Sequence, residues 1–390
     1  MRPAPLAPLP NAPYTAPAMP RRATLWLTQP SRFAALRRAQ ARLVLGVVVL
    51  MLLASLTALA VPTPTVSDAV NAPPIADRPT DIALYESIVS AVRHGEDYYR
   101  AAADALRAGG YPLRPFLAFR MPALATVQGL LPESLVLALL YALAAATAWA
   151  WHRRLAQALA GVPARIAALV LIAGGMLAIV QPALVAFHEV WAGLLVAASL
   201  ALRRPERWVE AVAVALIAML VRETAVLFAL VMGGLALLEG RRREAAGWAV
   251  ALGVFALALA AHAVAVHGVT GPLDAASPGW TGMHGFGLFI HAMTGATALH
   301  LLPAIPAALL AALALLGWAS WRDPLALRAV AAFSVYAAAI SLFAALDPFY
   351  WGLMIAPVFL LGLAFVPDGL RDLVARALDR RRVRVQSIPR

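Results

Sequence analysis

The chain has 390 residues, of which 62% are hydrophobic and only 13% charged. A soluble domain of this length carries roughly twice that charged fraction, and several apolar runs reach the ~20 residues needed to cross a bilayer core. The net charge of +12 does not point to nucleic acid, because the arginines sit in short clusters between apolar runs, where the positive-inside rule places cytoplasmic loops.

All 32 basic residues are arginine, and the absence of cysteine excludes disulfides, thiolate metal sites and cysteine nucleophiles. Residues 1–31 are rich in Pro and Ala and read as a disordered cytoplasmic tail. The next run, LVLGVVVLMLLASLTALAV, follows Arg32, Arg37, Arg38 and Arg42. Its length favours a retained first span over a cleaved signal peptide, although Ala58-Leu59-Ala60 resembles a cleavage site.

Arginine clusters fall at 32–42, 153–154, 203–207, 241–243, 322–328 and 371–384. If all lie on the cytoplasmic side, the chain crosses an even number of times between neighbours. The apolar runs accommodate this with spans near 43–61, 134–151, 166–182, 189–202, 208–221, 224–238, 247–267, 301–321, 329–346 and 349–366. The expected fold is therefore all-α and polytopic, with about ten helices and both termini cytoplasmic. A transmembrane domain would occupy 32–370 and a basic tail 371–390.

Two runs place charge inside this apolar frame. WVEAVAVALIAMLVRETAVLFALVMGGLALLEG is interrupted by Arg222-Glu223. As one helix it would put the arginines at 203–207 and 241–243 on opposite faces; as two short helices it keeps them together. Each half is then ~21 Å long, against a ~30 Å core, so the turn lies below the outer surface. His188-Glu189 caps a second short span from the same side. Charges at that depth line a wet cavity or are buried in protein, and the expectation is a cavity open outward. Buried in protein, Arg222 and Glu223 would be an ion pair joining the half-helices; in a cavity, Arg222 would suit an anionic ligand.

Outside the membrane, residues 62–133 contain DIALYESIVSAVRHGEDYY. Asp81 and Tyr85 share a helix face, and the apolar positions suit an amphipathic helix at the interface. A carboxylate over an apolar-walled cavity suits general-base work on a hydroxyl; a helix cap is the plainer role. Asp97 is a plausible cap of the following helix, and Tyr98 and Tyr99 fit an interfacial position. Arg114 and Arg120, in YPLRPFLAFRMPALA, lie outside against the charge rule, as suits an anion such as a lipid phosphate or simple headgroup contact. The second outer segment, 268–300, is rich in Gly and His, and its latter part reads as a short surface helix. The histidines at 262, 267, 284, 291 and 300 form no tight metal pattern. Asp347 sits in an aromatic turn, DPFYWGLMIAP, at the outer side. No P-loop, GxGxxG, HExxH or GxSxG motif occurs.

In layout this chain resembles the GT-C superfamily of integral membrane glycosyltransferases, which use polyprenyl-phosphate-linked sugars. The resemblance rests on Asp81 within DIALYESIVSAVRHGEDYY in the first outer loop, the charged turns HEVW and VRET, and the aromatic turn DPFYWGLMIAP before the last span. It covers most of 32–370. It implies Asp81 as the base that activates an acceptor hydroxyl, with Arg222, Arg120 and Arg114 around the donor phosphate. Tyr85, Asp97, Tyr98, His188, Glu189 and Glu223 would support the cavity. It further implies a polyprenyl-phosphate sugar donor, an extracytoplasmic glycan or lipid acceptor and a bacterial inner-membrane location; no cofactor is expected beyond the lipid-linked donor, a metal is left open but not indicated, and no nucleic-acid partner is expected. Many relatives pair two acidic residues at the first-loop site, whereas Asp81 is followed by Ile82, which leaves Asp77 and Asp97 as alternatives. A lipid or solute transporter and a non-catalytic envelope-assembly subunit are the competing classes.

Overall fold

The computed structural model describes residues 24–61, 81–179, 181–277, 279, 282–344 and 349–379. Among them the chain is helical throughout, with two isolated β-bridges and no strand. Four helices are long and apolar enough to cross a membrane: Arg38–Ala60, Glu133–Leu155, Arg242–Val269 and Pro324–Phe343. Their outward positions carry large apolar side chains such as Leu43, Leu50, Leu139, Trp149, Leu257 and Val264, as expected of faces that meet lipid rather than water.

In chain order, α1 is Arg38–Ser55, running through a 3-10 turn to Ala60. The first loop forms α2 (Asp81–Arg93), α3 (Tyr98–Ala108) and α4 (Ala123–Leu130). These share a small apolar core that includes Leu84, Ile88, Ala102, Leu106 and Phe119, which is the burial expected of amphipathic helices. Then come α5 (Glu133–Leu155), α6 (Val162–Gly175), α7 (His188–Leu202), α8 (Val209–Val221), α9 (Val226–Leu238) and α10 (Arg242–Val269). The remainder is α11 (Gly285–Gly295), α12 (Ala304–Ser320), α13 (Pro324–Phe343), the one-turn α14 (Phe349–Gly352) and α15 (Ala356–Phe359), and α16 (Val366–Ala377).

The arginine clusters share one end of the molecule. Arg203 grips Glu244 with two hydrogen bonds of 3.0 and 2.8 Å and reaches Glu239 at 3.5 Å. Arg328 meets Glu239 at 2.7 Å, and Arg154 donates to the Arg203 carbonyl at 3.2 Å. The two short helices α8 and α9 therefore start and finish at the same end, as the arginine parity requires. Between them Arg222 is extended, with φ −142° and ψ 114°. The long-helix alternative for 208–240 is excluded.

Three expectations change. Residues 24–31 are no free tail: the Asp368 carboxylate accepts the backbone N–H groups of Leu25, Trp26 and Leu27 at 2.7–2.8 Å, and Asp372 accepts from Ser31. Likewise 371–377 belong to α16, which is packed along α1 and tied by Arg42 Nε to the Ala377 carbonyl at 3.2 Å. The segment 349–366 is not one helix. It breaks after Gly352, restarts with Pro357 in its first turn, and tightens into a 3-10 stretch, Leu360–Phe365. α11 forms as expected but is enclosed, with Leu288, Phe289, Ile290 and Met293 fully buried.

That broken segment lies against α12 through two glycines. A Cβ on Gly317 would collide with the Gly362 carbonyl oxygen, and one on Gly362 with the Ala314 carbonyl oxygen. Close approach of this kind is how helices associate where no water is available to drive them together. Gly317→Ala is expected to destabilise the protein by about 1–3 kcal/mol, the usual cost of overpacking. Denaturant unfolding in detergent, compared with the open position Gly253→Ala, measures it.

Candidate active site

α7 is apolar around its whole circumference and is the hub of the fold. Every residue from His188 to Ala201 except Trp191 is buried, which is where an all-apolar helix belongs. It begins with His188 and Glu189 and ends against Arg203, so it connects two charged layers ~21 Å apart at 1.5 Å per residue.

At its first turn four elements meet. The Glu189 Oε1 accepts from Arg222 Nε at 2.7 Å and lies 3.6 Å from Arg120 Nη2. Arg222 also pairs with its neighbour Glu223. The Arg120 guanidinium stands over the Tyr85 ring, 5.7 Å from its centroid, within cation–π range. Tyr85 in turn meets Phe187 and His188 edge-on at 5.6 and 5.4 Å. Tyr98 OH donates to the Arg120 carbonyl at 2.7 Å, fixing the loop that carries it. Burial pushes the Tyr85 phenol above its ordinary pKa, so it stays a neutral aromatic wall.

Two arginines thus face two glutamates, and the cluster is balanced in charge. Arg222 is committed to both carboxylates, with its side chain 5% exposed. Arg120 differs: its side chain is 18% exposed, its ion pair is long, and among the described residues its Nε has no partner. Among the same residues Glu189 Oε2 and Glu223 Oε2 are unpartnered as well. Of the expected phosphate ligands in this cluster, Arg120 is therefore the less fully paired and Arg222 the more fully committed.

Asp81 opens α2, one turn before Tyr85, and accepts a hydrogen bond from Tyr111 OH at 2.8 Å. Asp81 and Tyr350 both lie within electrostatic reach of Arg120. The first-loop carboxylate, Tyr350 and the charged helix ends are thus brought within reach of one guanidinium. Asp97 caps α3, accepting from the Arg100 N–H at 3.1 Å, as a residue at that position should. Asp77 and Asp347 lie outside the described residues.

Arg114 is not part of this cluster. Its Nε donates to the Asp274 carbonyl at 3.0 Å, and its backbone bridges to Ala276. That loop is anchored by Asp274, whose carboxylate takes two 2.9 Å hydrogen bonds from Arg107 and one of 2.8 Å from the Gly271 N–H. The Arg107 hydrogen bonds, with that from Gly271, hold the Asp274 pKa down at about 2, against 3.8 unperturbed. A depressed carboxylate stabilises the fold above its unfolded pKa. This loop is expected to loosen as the pH falls from about 4 through about 2, and Arg107→Gln should move the Asp274 midpoint back toward 3.8. Carboxylate NMR titration measures both.

Glu189 and Arg222 are buried where a wet cavity was expected, with side chains 2% and 5% exposed, and Arg120 beside them is 18% exposed. Nearby, a cavity of about 580 Å³ opens between α2, α4, α5 and residues 182–186. Glu86, Ser90, Arg93 and Gln128 supply its polar side, and Val89, Val136 and Leu137 its apolar wall. Sequence reasoning gave no role to Gln128, to the Tyr111 contact with Asp81, or to Tyr336, whose OH donates to the Thr224 carbonyl at 3.0 Å. Each joins residues 30 or more positions apart, and only the isolated polar group in an apolar run signals it. Among the described residues no three His, Asp or Glu side chains are grouped to hold a metal. No family model matches the chain, and no curated protein and no solved structure is significantly similar to it.

Proposed function

We propose that this protein is a membrane glycosyltransferase of GT-C type that moves a sugar from a polyprenyl-phosphate carrier to an extracytoplasmic glycan or lipid. The observation that carries this reading is the meeting of Asp81, Tyr85, Arg120, Glu189 and Arg222 at one end of the fold, opposite the shared arginine clusters. With those clusters cytoplasmic, the chain crosses an inner membrane about ten times and both termini lie inside.

In the reaction, the acceptor hydroxyl oxygen bonds to the anomeric carbon as that carbon's bond to the phosphate oxygen breaks. The bonding pair leaves on the polyprenyl phosphate, and the hydroxyl proton passes to the Asp81 carboxylate. Displacement at one carbon inverts its configuration. Arg120 receives the growing negative charge on the phosphate, which is where an aimed cation lowers a barrier most. Glu189 and Arg222 hold Arg120 in place, and Tyr85 supplies an apolar wall on which the guanidinium is steadied.

A second reading, a non-catalytic subunit of an envelope assembly, is favoured by the charge balance and burial around Glu189. The discriminating experiment reconstitutes the protein in vesicles with a panel of radiolabelled polyprenyl-phosphate sugars and envelope glycolipids. Time-dependent label transfer from one donor, absent in Asp81→Asn, is the expected result. Failure of every donor, under conditions where a known polyprenyl-phosphate-dependent transferase is active, would favour the assembly subunit.

A further inference from the structure

At the opposite end, a second cavity of about 280 Å³ lies between residues 27–29, the end of α5 and the start of α13. Arg154 lines it and is 9% exposed. Its hydrogen bond goes to the Arg203 carbonyl at 3.2 Å, and among the described residues its Nε has no partner and no carboxylate comes within ion-pair distance of it. The neighbouring Arg203 and Arg328 share Glu239 and Glu244, so the carboxylates of this layer are already occupied. A buried cation without a counter-ion is destabilising, and such a group persists where something else supplies the charge.

The rest of the cavity is suited to supply it. Arg322 lines the rim, exposed and, among the described residues, without an ion pair. Thr28, Gln29 and Gln157 add hydrogen-bonding groups, and Trp321 closes one wall, stacked on Phe365 at 4.8 Å. The acid present, Asp323, has its Oδ1 engaged in capping α13 through the Leu325 N–H at 2.8 Å. The segment carrying Thr28 and Gln29 is held by Asp368 and by the Thr28 N–H to Ala158 carbonyl bond of 2.8 Å. The wall is thus built, and the volume lies just under the ~300 Å³ lower range of ligand pockets.

We propose that this cavity is an anion site for a phosphate group, held by Arg154 and Arg322, on the face that carries the arginine clusters. Two sources present that chemistry: the headgroup of an anionic phospholipid in the adjoining leaflet, for which basic pockets between helices are a recognised form, and a soluble phosphate. The site is independent of the sugar-transfer reading, since it shares no residue with the Glu189 cluster.

The test is thermal unfolding of the full chain in zwitterionic detergent, titrated separately with inorganic phosphate and with short-chain phosphatidylglycerol. Sodium chloride at matched ionic strength and short-chain phosphatidylcholine are the controls. The expected result is a saturable rise in midpoint with one or both probes and neither control, because a ligand that binds only the folded state raises stability. Half-saturation should weaken at least about tenfold in Arg154→Gln and about threefold or more in Arg322→Gln, as befits loss of a charge-assisted contact. A response to phosphatidylglycerol alone identifies a lipid headgroup, and a response to phosphate alone a soluble ligand. If Arg154→Gln fails to fold, Arg322→Gln, an exposed substitution, decides. No saturation beyond the controls, or titrations unchanged in the variants that fold, overturns the proposal.

Discussion

Glu189→Ala is expected to destabilise the protein by about 3–5 kcal/mol, the usual cost of stranding a buried charge by deleting its partner. Glu189 Oε1 serves both Arg222 at 2.7 Å and Arg120 at 3.6 Å, with the Glu189 side chain 2% exposed. Alanine leaves two cations facing one remaining carboxylate, Glu223. The reverse substitution, Arg222→Ala, strands Glu189 beside Arg120 alone and should cost less, since the longer pair can tighten. Replacing both partners, Glu189→Leu with Arg222→Met, should recover a large part of the loss, because apolar isosteres of buried pairs are often neutral or better. Reversible unfolding in detergent measures all three. A Glu189→Ala loss within about 0.5 kcal/mol, the range of an ordinary surface substitution, would show that water reaches the cluster and that it is not the buried frame described here.

Asp81→Asn is expected to leave the fold intact and to lower sugar transfer by at least about 100-fold, the low end for removal of a general base. Asparagine keeps an oxygen to accept from Tyr111 OH, now 2.8 Å from Asp81 Oδ1, so α2 should hold its position. What it cannot do is take a proton. The KM for the donor should therefore change little while kcat falls. Asp97→Asn is the contrasting substitution. It should retain transfer, because Asp97 caps α3 through the Arg100 N–H and asparagine caps as well as aspartate. Equal losses in both variants would shift the base away from Asp81.

Much of the architecture could be read from residue spacing because two simple signals, apolar length and arginine position, act over whole segments. The break at Arg222-Glu223 is the clearest instance. A charged pair within an apolar run, bracketed by arginines that belong to one face, requires a turn, and Arg222 is extended there. The turn at His188 followed from the same reasoning. Where the reading failed, contacts between distant residues decide. Nothing local in the Pro- and Ala-rich leader marks residues 25–27 as the ligands of Asp368, more than 340 positions away. The segment 349–366 is apolar enough for a helix, yet Pro357 and the approach of Gly362 to Gly317 divide it.

The candidate site was legible to a similar degree and for the same reason. Charges in an apolar frame stand out, and Asp81, Arg120, Glu189 and Arg222 do converge. Their division of labour did not show in the sequence. It depends on whether a guanidinium is already satisfied: Arg222 is, by two carboxylates, while among the described residues Arg120 retains an unpartnered Nε. Arg114 looked equivalent to Arg120 in sequence, and only the loop at 271–277 claims it.

Binding of undecaprenyl phosphate to the purified protein, read by thermal shift, tests most directly whether Arg120 receives a polyprenyl phosphate. This carrier is the product whatever the sugar. With phosphate and phosphatidylglycerol already saturating, so that the Arg154 cavity is filled, the further stabilisation of the wild type should disappear in Arg120→Gln and persist in Asp81→Asn. It should also persist in Arg154→Gln, which separates the site from the anion cavity at the other end. An unstabilised wild type, or an Arg120→Gln variant that responds as fully as the wild type, would contradict the account.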